Sequence, residues 1–257
     1  MIQIASLDDP RIADYRSLAD PDSIRRANLI VIEGRANVQR LLALPHHRVR
    51  SVLVTPVAYQ ALGGSGEFFV VDQALINAIA GYNIHRGCVA LAVRPTPRTL
   101  ADLNLQSARR LLILEGVNNP DNIGGLFRSA AAFGVDAVVL GPGCSDPYYR
   151  KAIRTSMSAT LALPFGFAST WPADLATLSA HGFRVIALTP DANAAALETV
   201  PRALAKVAVM VGAEGAGLSD EALSLSDQRV RIAMVAGVDS LNVTVAASIA
   251  LSHLFVA

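Results

Sequence analysis

Short apolar runs alternate with segments of helical spacing in the first 93 residues. Runs rich in β-branched and aliphatic residues predict strands, and apolar positions three to four residues apart predict helices. The predicted strands are NLIVIEG, VRSVLVT, EFFVVD and GCVALAV, and the predicted helices are RANVQRLLAL, PVAYQALGG and QALINAIAG. This alternation indicates a small α/β domain.

The same alternation returns after residue 105. The predicted strands are RRLLILEGV, VDAVVLG, FRVIALT, KVAVMVG and QRVRIAM, and the predicted helices are DNIGGLFRSAAAF, DPYYRKAIRTSMSAT, LATLSAHG, SDEALSLS and SLNVTVAASIALSHLFV. Because these strands are almost continuously apolar, we expect a parallel sheet covered on both faces.

The segment VRPTPRTLADLNL separates the two alternating regions. Its prolines, Pro95 and Pro97, limit helix formation and favour an extended path. The sequence therefore predicts domains over 1–93 and 106–257, joined by a linker over 94–105.

Composition narrows the class of protein. Of 257 residues, 52% are apolar and 17% are charged, which argues against a disordered chain. A net charge of +1 argues against polyanion binding through overall charge alone. Cys88 and Cys144 form no close-spaced motif, and no signal or membrane-spanning pattern is present. We expect a soluble, cytoplasmic protein with reduced thiols.

The stretch NNPDNIGGLFRSAAAFG opens a predicted helix with unusual composition. Asp121 or Asn122 is expected to cap the helix. Gly124 and Gly125 share a face with Arg128, so a helix surface without side chains is expected beside the guanidinium group. The residues alone leave two interpretations open: close helix packing with Arg128 in solvent, or a surface that a ligand approaches.

Two later stretches also follow predicted strands. In VGAEGAGLSDE the glycine spacing does not fit the dinucleotide-binding fingerprint, and Glu214 is either a functional carboxylate or a solvated acid in a turn. In VDSLNVTVAASIAL, Ser240 is expected to cap the last helix, with Asn242 in its first turn. An ordinary capped terminal helix is the alternative.

Together, in their order and spacing, these three stretches resemble the three motifs of the SpoU/TrmH family of RNA ribose 2′-O-methyltransferases, in the SPOUT superfamily. VIEGRANVQRLL and HRGCVALAV resemble the small domain that precedes the catalytic domain in many members. The resemblance implies a C-terminal α/β trefoil-knot (SPOUT) methyltransferase domain preceded by a small α/β RNA-binding domain. It also implies S-adenosylmethionine as methyl donor, no metal, a homodimer, and structured RNA as substrate.

Ribosomal RNA is favoured over transfer RNA by the two-domain layout. From another class, the alternative is a non-catalytic RNA-binding or ribosome-assembly protein that keeps the fold. The resemblance assigns five catalytic positions: Asn122, Arg128, Glu214, Ser240 and Asn242. It assigns five donor-pocket positions: Leu188, Thr189, Gly212, Ile232 and Leu241. Ala233 stands where the third motif of the family usually has proline.

Basic residues near aromatic ones suit RNA, because phosphates pair with cations and unstacked bases stack on rings. RNA contacts are expected from Arg35 and Arg86, as a second footprint in the first domain, and, on the ground of the neighbouring Tyr148 and Tyr149, from Arg150, Lys151 and Arg154. A solvated helix face is the alternative for the last three. For Arg128 two roles stay open: general base, or a cation that holds a phosphate and stabilises developing charge.

Overall fold

The computed structural model describes residues 1–63, 67–84, 87–202, 204–235 and 237–255. The chain divides into two compact units. Unit 1 comprises Met1–Thr96 and Tyr148–Ala162, and unit 2 comprises Pro97–Pro147 and Leu163–Ala257. The first boundary falls within the expected linker. The segment 148–162, which the sequence placed in the second domain, belongs instead to unit 1.

The helices and strands follow one another closely along the chain. The strands are β1 (Ile2–Gln3), β2 (Leu29–Glu33), β3 (Val49–Val54), β4 (Phe68–Val70), β5 (Cys88–Val93), β6 (Arg110–Leu114), β7 (Ala137–Leu140), β8 (Phe165–Phe167), β9 (Arg184–Leu188), β10 (Ala195–Ala196), β11 (Val207–Val211) and β12 (Gln228–Arg231). The α-helices are α1 (Pro21–Arg26), α2 (Arg35–Leu42), α3 (Pro56–Ala61), α4 (Gln73–Ala80), α5 (Pro120–Ala132), α6 (Arg150–Thr155), α7 (Ala159–Ala162), α8 (Asp174–Ala180), α9 (Asp220–Ser224) and α10 (Val243–Phe255). Short 3₁₀ helices occupy Pro10–Ser17, Leu100–Asp102 and Leu197–Thr199.

Unit 1 is built on a five-stranded sheet with strand order β1-β4-β3-β5-β2. β5 runs antiparallel to β2 and β3, whereas β1, β3 and β4 are parallel. Each face of the sheet is covered by its own apolar cluster, one including Val38 and Leu41 of α2 and the other including Ile76 and Ile79 of α4. The predicted small α/β domain is confirmed in its architecture, although its sheet is mixed.

The segment 148–162 forms two short helices, so the single helix predicted over DPYYRKAIRTSMSAT is wrong. Met157 and Ser158 have φ of 52° and 66°, and this left-handed turn separates α6 from α7. The Ser158 hydroxyl donates to Asn37 Oδ1 at 3.0 Å. Ile153 and Leu161 are buried in the apolar cluster that covers one face of the unit 1 sheet. These contacts, remote in sequence, override the local helical spacing.

Unit 2 contains a seven-stranded sheet with strand order β10-β12-β9-β11-β6-β7-β8. Every neighbouring pair is parallel. The expectation of a parallel sheet is therefore confirmed, and the central strands β6, β7 and β11 are buried almost throughout. β8 and β10 were not predicted, because runs of two or three residues carry no periodic signal.

Both predicted helix caps, those of the first and third motifs, are displaced by two or three residues. Asn119 caps α5 by accepting the N–H of Asp121 at 2.9 Å, since Pro120 occupies the first helical position, where its missing N–H costs nothing. Asn242 precedes α10, and its Oδ1 accepts the N–H of Thr244 at 3.0 Å. Asn122 and Ser240 therefore do not act as the helix caps.

The surface without side chains that was expected beside Arg128 is covered by α10 at Gly125. A Cβ on Gly125 would lie 2.7 Å from Thr244 Cγ2, and Gly124 is buried. Further along the same seam, the hydroxyls of Ser129 and Ser248 lie 2.7 Å apart, so α5 and α10 pack in parallel. At Gly125 the glycine serves close helix packing, and the prediction of an open approach surface there is wrong.

We expect Gly125→Ala to destabilise the protein by about 1–3 kcal/mol through overpacking of this seam. Alanine is ordinarily the better helix former by about 1 kcal/mol, so a loss has to come from the contact with Thr244. Thr244→Ala in the same chain removes the clashing atoms and is expected to recover most of the loss. Urea unfolding of the four members of this double-mutant cycle measures the coupling, and a stable single variant would contradict the packing argument.

Candidate active site

A cavity of about 370 Å³ opens at the carboxyl ends of the unit 2 strands. This is the edge of a parallel sheet at which ligands bind. All five positions assigned to the donor pocket line it: Leu188, Thr189, Gly212, Ile232 and Leu241. Three of the assigned catalytic positions line it as well, namely Glu214, Ser240 and Asn242. Met234 and Pro190, which the sequence did not single out, also contribute to the wall.

Strand order explains this convergence. β9 lies between β11 and β12, so the segments that follow these three strands meet at one edge. A Cβ on Gly212 would lie 2.1 Å from the carbonyl carbon of Gly217, which shows how sharply the chain folds back after β11. Ala213 and Gly217 exchange backbone hydrogen bonds of 3.1 and 3.0 Å, closing the loop. The glycines of the second motif thus build a compact loop with its backbone exposed to the cavity.

One amide group connects the three motifs. Asn242 Nδ2 donates to Asn122 Oδ1 at 3.1 Å and to Glu214 Oε1 at 2.8 Å. An ionised carboxylate only accepts hydrogen bonds, so the nitrogen of Asn242 has to face Glu214. Asn122 is buried, and its backbone carbonyl is also approached by the Thr244 hydroxyl at 3.5 Å. The network fixes the start of α5, the second-motif loop and the start of α10 against one another.

Arg128 is exposed on α5, about 9 Å along the helix axis from Asn122 at 1.5 Å per residue. Within the described ranges its guanidinium has no ion-pair or hydrogen-bond partner in unit 2. Glu214 Oε1 accepts its hydrogen bond from Asn242 Nδ2. Within the described residues of unit 2, Arg128 therefore presents an unneutralised cation on α5, nearly two helical turns beyond Asn122.

The sequence did not single out Glu115. This residue directly follows β6, is buried, and accepts hydrogen bonds from Trp171 and Ser219. The signal available in the sequence was a lone carboxylate at the end of an apolar strand, at the edge where the other site residues meet.

The residues expected to contact RNA are placed differently from one another in unit 1. Arg150 is largely enclosed: its guanidinium lies 3.1 Å from Glu33 Oε1 and 4.5 Å from the centre of the Tyr82 ring. Arg154 lies 3.6 Å from Glu33 Oε2, with 57% of its side chain exposed. Lys151 is partly exposed, and Arg35 is exposed at the start of α2. Arg86 lies outside the described residues.

Neither cysteine has the environment of a nucleophile. Burial raises the pKa of the Cys88 thiol to about 12 and that of the Cys144 thiol to about 11. Both thiols are therefore protonated near neutral pH and unreactive.

Among the described residues, no group of three or more His, Cys, Asp or Glu side chains is arranged to hold a metal ion. In the same part of the chain, no helix combines the length and apolarity needed to cross a bilayer.

Comparisons with known proteins agree with the arrangement of the three motifs. Over 95% of its length, and 88% of the relative's, the chain is 40% identical to an uncharacterized tRNA/rRNA methyltransferase of Mycobacterium tuberculosis. It is 28% identical, over 99% of both chains, to the 23S rRNA (guanosine(2553)-2′-O)-methyltransferase RlmP of Bacillus subtilis. The structure of an AdoMet-bound rRNA methyltransferase from Sinorhizobium meliloti has the same fold, with a TM-score of 0.83, 22% identity, and coverage of 98% of this chain and 96% of that one.

A family model matches more than half of the chain. Residues 109–252 match the model described as the SpoU rRNA Methylase family, and this range contains all three motifs. The mixed α/β architecture, with its parallel sheet in unit 2, is that of the structural neighbour. The chain belongs to the SpoU rRNA methylase family.

Proposed function

We propose that the protein transfers a methyl group from S-adenosylmethionine to a ribose 2′-hydroxyl of structured RNA, with ribosomal RNA as the substrate class. The observation that carries this proposal is the convergence of the second and third motifs on one cavity, to which Asn242 joins the first motif by its hydrogen bond to Asn122. A relative that matches the chain from end to end is named as a 23S rRNA 2′-O-methyltransferase, which supports ribosomal RNA.

The cavity fits the donor in size and chemistry. At about 370 Å³ it is within the range of small-molecule sites, which are about 300–1,000 Å³. Leu188, Ile232 and Leu241 offer aliphatic surface to a heteroaromatic ring, and the backbone of the loop after Gly212 offers hydrogen-bonding groups to its edge. When bound, S-adenosylmethionine supplies an electrophilic methyl group. The Glu214 carboxylate places negative charge at the cavity, as suits a cationic ligand.

The residues of the chain then have to activate a poor nucleophile. A ribose hydroxyl must be oriented, and it must lose its proton as negative charge grows on its oxygen. Arg128 carries a fixed positive charge, because a guanidinium does not deprotonate near neutral pH. We therefore assign Arg128 to binding the adjacent phosphate and stabilising the oxygen, rather than to accepting the proton. Asn122, Ser240 and Asn242 shape the start of the two helices beside it.

We also propose a homodimer whose interface includes the outer face of α10. Val245 and Ile249 lie one turn apart on this helix and are 47% and 39% exposed. Exposed aliphatic side chains on one helix face suit a second copy of the chain. The threading of the C-terminal segment as a trefoil knot remains a prediction from the family resemblance. Sedimentation equilibrium of the wild type and of a Val245→Glu/Ile249→Glu variant tests the dimer, and a wild-type monomer would contradict it.

Unit 1, with segment 148–162, is proposed to bind the RNA, and its basic residues divide into two kinds. Arg150→Ala is expected to destabilise the protein by about 1–3 kcal/mol, since it removes the cation that, together with the Tyr82 hydroxyl, is bonded to Oε1 of the enclosed Glu33 carboxylate. Arg154→Ala, which removes an exposed pair, is expected to cost at most about 1 kcal/mol but to weaken RNA binding. Thermal unfolding measures the stability of both variants, and filter binding measures their affinity for RNA. The reverse order of the two stabilities would contradict the assignment.

A methylation map decides the substrate. We expect one or a few ribose 2′-O-methyl groups to disappear from ribosomal RNA of cells that lack this gene, and purified protein to restore them with labelled S-adenosylmethionine. Loss of a transfer RNA methyl group instead would favour the second candidate substrate. Unchanged RNA together with intact RNA binding would favour the non-catalytic alternative.

A further inference from the structure

Glu115 is a buried carboxylate with a complete set of partners. It is 8% exposed and directly follows β6. Its Oε1 accepts hydrogen bonds from Trp171 Nε1 at 2.5 Å and from the Ser219 hydroxyl at 2.7 Å, and its Oε2 accepts the Ser219 N–H at 2.9 Å. Burying an ionisable carboxylate costs free energy unless its oxygens are bonded in this way. The position of the Glu115 carboxylate is therefore fixed by its hydrogen bonds to Trp171 and Ser219.

The backbone of Glu115 holds the opposite end of the same loop. Its N–H donates to the carbonyl of Val211 at 3.0 Å, at the end of β11. The next residue, Gly116, has φ of +68°, and a Cβ there would lie 3.1 Å from the Cβ of Ala213. Glu115 thus bonds the residue before the loop 212–218 through its backbone and the residue after it through its carboxylate. One residue therefore bonds both ends of the loop, in addition to the backbone hydrogen bonds between Ala213 and Gly217 that close it.

Ser219 transmits this constraint to the helix that follows. Its hydroxyl donates to Glu115, and the same oxygen accepts the N–H of Ala222 at 3.2 Å as the cap of α9. The carboxylate therefore orients the capping hydroxyl as well as anchoring the chain. Between the two anchored ends lie Gly212 and Glu214, both of which line the cavity.

We propose that Glu115 is a positioning residue that fixes the second-motif loop and thereby sets the affinity for the methyl donor. This inference rests on the proposed function, because it takes the cavity to be the donor site. Glu115 touches neither substrate in this role and acts only through Val211 and Ser219. Substitution of Glu115 is therefore expected to change the KM for S-adenosylmethionine and to leave the KM for RNA unchanged.

The test compares Glu115→Ala and Glu115→Gln with Trp171→Phe and Leu178→Ala in steady-state methyl transfer. The KM for S-adenosylmethionine is expected to rise about tenfold in Glu115→Ala, a difference of 1.4 kcal/mol, and less in Glu115→Gln, whose amide keeps one acceptor. Trp171→Phe keeps both bonds to Ser219 and is expected to leave this KM near the wild-type value. Leu178→Ala creates a cavity in the core of unit 2 without removing any hydrogen bond of Glu115 or Ser219, and serves as the control for lost stability.

The split between kinetic constants separates positioning from instability. A partly unfolded population lowers the amount of active enzyme, and so the apparent kcat, without changing KM. Glu115→Gln keeps the side-chain volume and so tests the carboxylate itself. The proposal would be overturned if the donor KM were that of the wild type in Glu115→Gln and also in Glu115→Ala, where the alanine variant folds. Ile232→Trp fills the cavity and tests the proposed function itself. If calorimetric donor binding survives Ile232→Trp, the cavity is not the donor site; if it is lost there but kept in the Glu115 variants, only the positioning role fails.

Discussion

Replacing Arg128 by alanine is expected to lower methyl transfer by about 10²–10³-fold, with S-adenosylmethionine binding unchanged. The guanidinium is exposed on α5 rather than in the wall of the cavity, so its loss removes no donor contact. Under the proposed function, what it removes is the cation that stabilises the oxygen on which negative charge develops. A radiolabel transfer assay and isothermal titration with the donor measure the two effects separately. Full activity of Arg128→Ala would rule out the assigned role.

Arg128→Lys distinguishes the two roles that the sequence left open. Lysine keeps the positive charge but lacks the planar fork that binds a phosphate through two parallel hydrogen bonds. If Arg128 acts as a cation, the lysine variant keeps part of the activity that alanine loses, with a pH–rate profile like that of the wild type. If it acts as a base, the lysine variant shows a shifted rising limb, because an ammonium loses its proton at lower pH than a guanidinium.

Asn242→Asp is the second change with a large expected effect. The substitution keeps size and shape, and the remaining oxygen still accepts the N–H of Thr244. The amide nitrogen is replaced by an oxygen that faces Glu214 Oε1, 2.8 Å away in the wild type, and Asn122 Oδ1, 3.1 Å away. Two hydrogen bonds become contacts between acceptors, and two carboxylates are brought together. We expect donor affinity to fall by about tenfold or more, which corresponds to about 1.4 kcal/mol.

A second substitution tests whether donor binding depends on a hydrogen bond between positions 242 and 214 or on the identity of the two side chains. In Asn242→Asp/Glu214→Gln the glutamine nitrogen donates to the aspartate, so the hydrogen bond is restored in the opposite sense. Donor affinity measured by calorimetry is expected to recover in the double variant even if turnover does not, because Glu214 stays altered. Equal losses in the single and double variants would show that the network does not hold the loop in the way described.

The elements of regular structure were predictable wherever local pattern decides them. The apolar runs of β6, β7, β9 and β11 are long enough to mark buried parallel strands, whereas β1, β8 and β10 are too short to show a pattern. The break between α6 and α7 depends on Ser158 reaching Asn37, 121 residues earlier in the chain. No local reading of the sequence contains that contact, which is also why segment 148–162 was placed in the wrong unit.

The site was predictable mainly through the joint occurrence of three motifs. Each motif alone left Glu214 or Asn242 with an ordinary alternative, and only strand order brings them within hydrogen-bonding distance. The role of Gly125 could not be decided from the residues alone, because a glycine on a helix face looks the same whether a ligand or another helix approaches it. Arg150 shows the converse difficulty: its charge suggested RNA, and the structure pairs it with Glu33. Charge patterns do not reveal which cations are already neutralised.

The place of segment 148–162 has a consequence for attempts to take the protein apart. A single proteolytic nick near Thr96 would yield two polypeptides, the second of which still supplies α6 and α7 to the fold of the first. We expect the nicked chains to co-elute under native conditions and to part only in denaturant. A recombinant fragment that starts at residue 106 would carry Ile153 and Leu161 without the apolar surface that buries them. Isolating unit 2 therefore requires replacing 148–162 by a short polar loop. Isolating unit 1 requires supplying segment 148–162 as a separate peptide together with residues 1–96.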